Sequence, residues 1–282
     1  MVQVSASTGR VTTVAGSEVP RAIIDGELAT DTTIKGPRHV ATLPDGGFVV
    51  VDEENHLLSV APDRRLTQVP TDGLLGPAGS KITGVVAAPD GRLYVATEER
   101  VFLLDPRATG NVGTVAGTEE PGFSSDGDAA IRAQLKVPTG LALNVQASSL
   151  YIADCENSRL RRIDLATNVI VTVAGGGPAY EEGGRASEVG GLSCPQAVAV
   201  GPDGAVYINA GGGNVRKVAG QRMTTAAGPV SEPTFTEDGQ LATQTTFSEI
   251  RGIAVDTRNR LYLSEGNRIR RVEEDGKVTT YA

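Results

Sequence analysis

The stretch Pro89-Asp90-Gly91-Arg92-Leu93-Tyr94-Val95-Ala96 decides the fold, because a tight turn leads directly into a short apolar run with an aromatic residue near its start. Five such runs occur along the chain: Phe48–Val51, Leu93–Ala96, Leu150–Ala153, Val206–Asn209 and Leu261–Ser264. Their aromatic residues lie 46, 57, 56 and 55 residues apart. A unit of this length cannot bury its own apolar face, so we expect neighbouring units to stack into one array.

Each unit also contains other recurring segments. A β-branched segment ending in Ala-Gly recurs at Val11–Gly16, Val112–Gly117, Val171–Gly175 and Met223–Gly228, and Val278–Ala282 matches it. Loops with an Asp-Gly pair follow at Asp25, Asp126 and Asp238, and Gly183-Gly184 takes that place in the fourth unit. Fourteen residues after the first member of each pair stand His39, Gly140, Ala197 and Gly252. The second unit has a shorter loop and Gly84 at this position.

Four short antiparallel strands per unit are typical of a propeller blade, and the absence of a sustained 3.6-residue apolar period predicts very little helix. We therefore predict an all-β chain that forms a single β-propeller of four-stranded antiparallel blades over residues 1–282. The repeats span approximately 17–70, 71–117, 118–175, 176–228 and 229–282, with 1–16 as an extra outer strand or half-blade. Five blades are favoured. The alternative is six blades with one incomplete, because the outer strand Val11–Gly16 precedes the first of only five sets of inner strands.

The third unit carries a resemblance to a known family. Leu135–Ala142, Leu150–Asp154, Asn157–Ile163 and Thr172–Gly175 resemble the NHL repeat, and Pro121–Gly127 resembles a loop that bacterial members of that family often carry. The resemblance implies a β-propeller and covers nearly the whole chain, although the second and fourth units depart from it in their loops. It does not select a function, because NHL propellers serve as binding modules and sensor domains and some relatives are enzymes.

Composition and motifs exclude several functions. A net charge of −8 opposes nucleic-acid binding, which depends on basic surface. No apolar run is long enough to cross a bilayer, so no membrane association is predicted. Met1–Ser5 lacks a basic stretch before an apolar core, so we expect a cytoplasmic protein. No Ser-His-Asp motif, zinc-ligand spacing or nucleotide-binding loop is present, so neither a cofactor nor a metal centre is predicted.

The long loops are expected on one face, around the mouth of a central channel, because function concentrates in loops that a rigid scaffold holds. The residues that begin the inner strands there are predicted to bind ligand: Arg38, His39, Thr83, Thr139, Gln196 and Arg251. His39 stands where other units have Gly or Ala, so it is a candidate general base, or it fills a wider part of the mouth. Arg38 and Arg251 either bind a carboxylate or phosphate or pair with loop carboxylates.

Two further groups of loop residues have competing interpretations. Phe123, Tyr180 and Phe235 either line a funnel for an apolar ligand or pin each loop to its own blade. Acidic residues crowd the loops after the second strands: Asp52, Glu53, Glu54, Glu98, Glu99, Asp154, Glu156 and Glu265. We interpret them as a solvated rim, with a bound calcium ion as the alternative. His56 is expected at the surface.

The two cysteines, Cys155 and Cys194, are predicted to lie on the same face with Cα atoms within about 10 Å. Two buried free thiols are the expected state in a cytoplasmic chain, and a disulfide or a reactive pair is the alternative.

The leading functional hypothesis is a soluble propeller that binds a small molecule or peptide over the channel mouth. The first alternative is a cofactor-independent enzyme, a lyase, cyclase or hydrolase acting on a small molecule, with His39 as general base. The second is a protein-interaction scaffold, against which the low aromatic content of 4% argues.

Overall fold

The computed structural model describes residues 1–5, 10–19, 21–71, 73, 75–76, 80–108, 112–230 and 235–282. They form two compact units, Met1–Val115 and Ala116–Ala282. The described residues contain twenty-two β-strands and no α-helix, which confirms the prediction of an all-β chain with very little helix. Four 3₁₀ turns are Ala29–Asp31, Ala130–Arg132, Cys155–Asn157 and Ala242–Gln244. None of the described helical turns has the length and apolar character to span a bilayer.

The first unit holds a hairpin and two four-stranded antiparallel blades. The hairpin pairs β1 (Val2–Val4) with β2 (Val11–Thr13). The first blade consists of β3 (His39–Thr42), β4 (Phe48–Val51), β5 (Leu57–Val60) and β6 (Leu66–Val69). The second consists of β7 (Gly84–Ala87), β8 (Leu93–Ala96), β9 (Val101–Leu104) and β10 (Val112–Ala116), which reaches the unit boundary.

The second unit holds three blades of the same kind. The third blade consists of β11 (Pro138–Leu143), β12 (Ser149–Asp154), β13 (Arg159–Asp164) and β14 (Val169–Gly175). The fourth consists of β15 (Val198–Val200), β16 (Val206–Asn209), β17 (Val215–Ala219) and β18 (Arg222–Ala227). The fifth consists of β19 (Ile250–Val255), β20 (Leu261–Glu265), β21 (Arg268–Val272) and β22 (Val278–Thr280). This is the fold class of a five-bladed β-propeller, as the repeat predicts.

Within each unit, adjacent blades pack through the apolar faces of their strands. Val49 and Val51 of the first blade share a core with Leu93 and Val95 of the second. In the second unit, one core joins the third and fourth blades and another joins the fourth and fifth. Because alternate residues of a strand face opposite sides of the sheet, each blade presents apolar side chains to the neighbours on both sides. Full burial of one Leu, Ile or Val side chain stabilises the folded state by about 1.5–3 kcal/mol.

The recurrent Ala-Gly ending has a backbone cause. Gly16, Gly117, Gly175 and Gly228 have φ of +94°, +92°, +86° and +96°, a region in which a Cβ is strained. Each donates its N–H to the carbonyl of an alanine in the following loop: Ala29, Ala130, Ala186 and Ala242. Glycine therefore turns the chain from one blade toward the loop of the next.

One register prediction for the loops is wrong. Gly127 and Gly239 of the Asp-Gly pairs donate their N–H groups to carbonyls of the fourth strands, and in the fourth unit Gly183 makes this bond, to Met223. The equivalent pair there is Glu182-Gly183, one residue earlier than predicted. The loop contains one extra residue after that pair. The 14-residue spacing from Gly183 to Ala197 therefore equals that from Asp126 to Gly140 in number, although the two segments differ in structure.

Candidate functional site

In the first unit, the predicted ligand-binding residues lie where two neighbouring inner strands begin. His39 is the first residue of β3, and Thr83 directly precedes β7, the strand that packs beside β3. The Arg38 N–H donates to Val51, and the Thr83 N–H donates to Ala96, so β4 and β8 hold both positions. Arg38 is exposed, whereas His39 and Thr83 are half-buried.

His39 has an unusual environment for a histidine. Burial, together with the neighbouring Arg38 charge, lowers its pKa below the ordinary value of 6.5, so the imidazole is neutral at pH 7. None of the residues that the structure describes lies within hydrogen-bond distance of its ring nitrogens. A neutral imidazole with a free nitrogen can accept a proton from a bound molecule.

A cleft of about 330 Å³ lies within the first unit, and of these three residues Arg38 lines it whereas His39 and Thr83 do not. It is lined by Arg38, Asp52, Glu53, Glu54, Asn55, Thr71, Gly73, Leu75, Gly76, Ser80, Lys81 and Ile82. The Arg38 guanidinium and the Lys81 ammonium have no ion-pair or hydrogen-bond partner in the described part of the chain. The cleft therefore combines two cations that form no ion pair among the described residues with three carboxylates, those of Asp52, Glu53 and Glu54.

Asn55 joins the two loops that form the cleft. It adopts a left-handed conformation with φ +71°, which asparagine tolerates better than most residues. Its side-chain amide donates to the Ser80 carbonyl at 3.0 Å and accepts from the Ile82 N–H at 2.6 Å. The loop after β4 and the loop before β7 are thus held together by one side-chain amide.

Asp52, Glu54 and His56 could together hold a metal ion, because one potential ligand atom from each lies within 4.8 Å of the others. These groups already have partners: the His56 Nδ1 lies 2.9 Å from Asp52 Oδ2, and Lys35 Nζ lies 2.6 Å from Glu54 Oε1. Asp52 also accepts the His56 N–H. The arrangement closes the turn after β4.

The interpretation of the acidic residues as a solvated rim is wrong for three of them. Asp52, Asp154 and Glu265 are 2%, 0% and 4% exposed and accept backbone N–H groups from His56, Lys136 and Ser248. Burial raises the pKa of Asp154 to about 6, against the hydrogen bonds from Asn157 and Lys136 and the charge of Arg161. These carboxylates organise the loops of their own blades.

In the second unit, the predicted ligand-binding residues at the inner-strand starts have partners of their own. The Thr139 hydroxyl donates to the Pro195 carbonyl at 2.9 Å, and Arg251 pairs with Glu249 at 3.1 Å. Gln196 is exposed. An ideal Cβ on Gly140 would lie 2.8 Å from the Ala197 Cα, so the small residue there is a requirement of close backbone approach.

Two of the three predicted loop aromatics, Phe123 and Tyr180, contact arginines of the third strands. Arg159 and Arg161 lie 4.0 and 4.9 Å from the Phe123 ring centroid, and Arg216 lies 3.7 Å from that of Tyr180. In the fifth blade the ring near Arg270 is Phe247, at 5.9 Å, whereas the Phe235 backbone pairs with Thr245 and Gln244. The contacts of Phe123 and Tyr180 are those expected of residues that pin a loop to its blade.

Sequence reasoning did not identify Arg161, Arg216 and Arg270 as important. Arg161 and Arg270 are 0% and 1% exposed, and each has carboxylates nearby: Asp126 at 3.3 Å from Arg161, and Glu265 at 3.0 Å from Arg270. A signal was available, since an Arg-Arg or Arg-Lys pair recurs in the third strand of these blades and successive strand residues face opposite sides.

The cysteines form a disulfide, so the expectation of free thiols is wrong. Their Cα atoms lie 3.9 Å apart, which confirms that they are neighbours. The bond links the 3₁₀ turn after β12 to the loop that carries Gln196.

Comparisons with known proteins give a fold but no family. No family model matches the chain. It is 40% identical over 85 residues to Protein SUPPRESSOR OF QUENCHING 1, chloroplastic, from Arabidopsis thaliana. That match covers 29% of this chain and 8% of the Arabidopsis protein, so the chain spans a small part of that relative.

Solved structures resemble the chain over most of its length. An auxiliary nutrient binding protein from Bacteroides thetaiotaomicron has a TM-score of 0.67 and 16% identity, covering 100% of this chain and 64% of its own. Virginiamycin B lyase from Staphylococcus aureus has a TM-score of 0.54 and 16% identity, covering 87% of this chain and 69% of its own. At such identities these likenesses show the fold alone, that of the β-propellers.

Proposed function

We propose that this protein binds a small polar molecule or peptide with an anionic group, and that the cleft of the first unit receives it. The observation that carries the proposal is that Arg38 and Lys81 line one cleft without a partner among the described residues. Of the carboxylates in the cleft lining, Glu54 pairs with Lys35 and Asp52 pairs with His56, so the Arg38 guanidinium is left to hold a carboxylate of the ligand through two parallel hydrogen bonds.

The remaining lining residues suggest what the rest of the ligand offers. Glu53 and Thr71 present oxygen atoms, so hydroxyl or ammonium groups on the ligand would find acceptors. Among the described lining residues the only large apolar side chains are Leu75 and Ile82, so a large apolar ligand is disfavoured. The likeness to a nutrient-binding protein agrees with a small-molecule ligand.

Isothermal titration with gluconate, glutamate and a tripeptide tests this proposal. Arg38→Gln should weaken binding of the best ligand at least about tenfold, because a charged hydrogen bond is worth roughly 1.5–3 kcal/mol. Arg21→Gln is the matched control, since Arg21 is an exposed arginine of the same unit outside the cleft. Equal affinities for the two variants, or no binding of any anion, would reject the site.

A second candidate function is a cofactor-independent lyase or hydrolase with His39 as general base. The specific observation in its favour is the neutral, half-buried imidazole with no described hydrogen-bond partner, beside a cation suited to an anionic substrate or transition state. The likeness to virginiamycin B lyase supplies a first substrate to test.

If His39 is the base, His39→Gln should lower kcat/KM for elimination of virginiamycin B, or for hydrolysis of an ester probe, by about 10²-fold or more. The melting temperature should stay nearly the same, since no described hydrogen bond of the ring is lost. Full activity in the variant would exclude His39 as the general base.

The compartment is a separate proposal. The Cys155–Cys194 disulfide favours an oxidising compartment over the cytoplasm expected from the N-terminal residues, because cytoplasmic thiols are kept reduced. Mass spectrometry of thiol-blocked protein from its native cells would report free cysteines if the cytoplasmic expectation is right.

A further inference from the structure

A second cleft of about 330 Å³ lies in the second unit, between the fourth and fifth blades. One wall is the sheet of the fourth blade, with Tyr207 on β16, Lys217 on β17 and Ala226 on β18. The other wall belongs to the fifth blade, at the turn between β19 and β20 and the turn between β21 and β22. Pockets for small molecules have volumes of roughly 300–1,000 Å³, so this cleft suits a ligand at the small end of that range.

Tyr207 gives this cleft a polar group that the protein itself does not use. The residue is 5% exposed and packs in one core with Leu261, yet none of the described residues bonds its hydroxyl. All described side-chain polar atoms that are enclosed without a partner are arginine nitrogens, so the hydroxyl is open to the cleft. The equivalent tyrosine of the fifth blade, Tyr262, donates its hydroxyl to Asp256 at 3.2 Å. Because a largely buried tyrosine hydroxyl normally has a partner, that of Tyr207 is suited to bind a ligand.

Arg258 places a cation at a turn position that other blades give to aspartate. It stands three residues before the second strand of its blade, where three other blades have Asp45, Asp90 and Asp203. Each of those aspartates accepts the N–H of the residue two positions later. In the fifth blade Asp256 organises the turn instead and accepts the Arg258 N–H at 2.9 Å. The turn therefore does not need the Arg258 side chain, which is exposed, lines the cleft and has no partner among the described residues.

The other charges of this cleft are partly compensated by the protein. Glu273 accepts a hydrogen bond from the Arg271 guanidinium at 2.7 Å. The Lys217 ammonium lies 3.8 Å from an Asp203 carboxylate oxygen. Glu274 is exposed and has no ion-pair or hydrogen-bond partner in the described part of the chain. The charges left unpaired in the described lining are therefore one guanidinium and one carboxylate.

We propose that this cleft is a separate ligand site, which binds a free α-amino acid with an apolar side chain. Arg258 and the Tyr207 hydroxyl bind the carboxylate of the ligand, and Glu274 binds its ammonium. Ala226 and Val272 are half-buried at the edge of the core of these blades and contact the apolar side chain. A zwitterion matches both unpaired charges, whereas a simple anion or cation matches only one of them. The site does not depend on the function proposed for the first unit.

Isothermal titration with leucine and two analogues tests the class of ligand. Isocaproate is leucine without its amino group, and leucinamide lacks the carboxylate, so each should bind about tenfold or more weakly than leucine. Arg258→Gln should weaken leucine about tenfold or more but leucinamide not at all, and Glu274→Gln should weaken leucine but not isocaproate. Absence of leucine binding overturns the site. Equal affinities for leucine and isocaproate overturn the amino acid as its ligand.

Matched variants test the location of the bound leucine. Tyr207→Phe keeps the ring in the core and removes only the hydroxyl, so it should weaken leucine binding roughly threefold to tenfold. Tyr151→Phe is the control, because Tyr151 is the equivalent residue of the third blade and does not line this cleft. Arg38→Gln changes the cleft of the first unit and should leave the affinity for leucine unchanged. Equal losses in Tyr207→Phe and Tyr151→Phe, or a loss in Arg38→Gln without one in Arg258→Gln, overturn the assignment to this cleft.

Discussion

The two units fill the same blade position in opposite ways. At one position of the third strand, defined by its pairing with the second strand, the first unit has Leu58 and Phe102, whereas the second unit has Arg161, Arg216 and Arg270. Leu58 is 0% exposed in an apolar core with Ala29 and Val60, and Arg161 is equally inaccessible.

The loop residues around this position of the third strand also differ between the first and third blades. In the first unit, Asp25 accepts the Gln68 N–H of the fourth strand, and Ala22 precedes it by three residues. In the third blade, the equivalent Asp126 also meets Arg161, and Phe123 stands three residues before it with its ring against the guanidinium. The loop aromatic, the loop carboxylate and the strand arginine therefore form one structural device, and the first blade has leucine and alanine at the corresponding positions.

The largest expected effect follows from removing the arginine of this device. Arg161→Ala should lower the free energy of unfolding by about 3–5 kcal/mol, because it removes the ion-pair partner of the buried Asp154. Urea denaturation measures the loss. Arg162→Ala is the matched control on the other side of the same strand and should cost under about 1 kcal/mol. Similar losses in both variants would show that Arg161 is no more structural than its neighbour.

Reduction of the disulfide should distinguish the units next. Both cysteines belong to the second unit, and 39 residues separate them, so loop-closure entropy predicts a loss of about 3–4 kcal/mol there. Hydrogen exchange with and without reductant should show faster exchange in the second unit only. Cys155→Ser combined with Cys194→Ser should reproduce the effect without reductant. An equal change in the first unit would contradict the assignment.

A smaller effect is expected from the ring that covers the arginine. Phe123→Leu keeps an apolar side chain but removes the aromatic face, and should cost about 0.5–1 kcal/mol because the ring is partly exposed. Phe235→Leu serves as the comparison in thermal denaturation, because the Phe235 ring makes no arginine contact among the described residues. Greater destabilisation by Phe235→Leu would break the link between loop aromatic and strand arginine.

The smallest effect concerns titration in the first unit. Burial and the Arg38 charge lower the pKa of His39 below 6.5. As the pH falls, the imidazole is therefore protonated in the unfolded chain before it is protonated in the folded protein. The contribution of the neutral His39 imidazole to the free energy of unfolding is therefore complete above pH 6.5, and it is lost as the pH falls toward the lowered pKa. Arg38→Gln should raise the pKa of His39 in an NMR titration, and only slightly, since burial is the larger cause of the lowering and an exposed charge is screened. An unchanged pKa would leave burial as its sole cause.

Local patterns were sufficient to predict the strands and their assembly into blades. The turn before Leu93 and the alternation through Leu93–Ala96 depend on residues a few positions apart, and the repeat spacing sets how many blades can stack. The Ala-Gly ending is likewise a local requirement, because only glycine adopts its positive φ without strain. For the same reason His39 could be singled out, as a departure from a position otherwise held by small residues.

Only the tertiary structure decided which distant residues meet. The Cys155–Cys194 bond, the Arg161–Asp126 contact and the Asn55 link across the cleft depend on how neighbouring blades stack and where each loop folds back. The fourth loop shows the limit most clearly, since one extra residue moves Glu182 into the place predicted for Gly183. Side-chain burial and pairing depend on atoms that are distant in the sequence. The spacing from Gly183 to Ala197 equals that of the other units, so the extra residue of the fourth loop cannot be detected from the sequence.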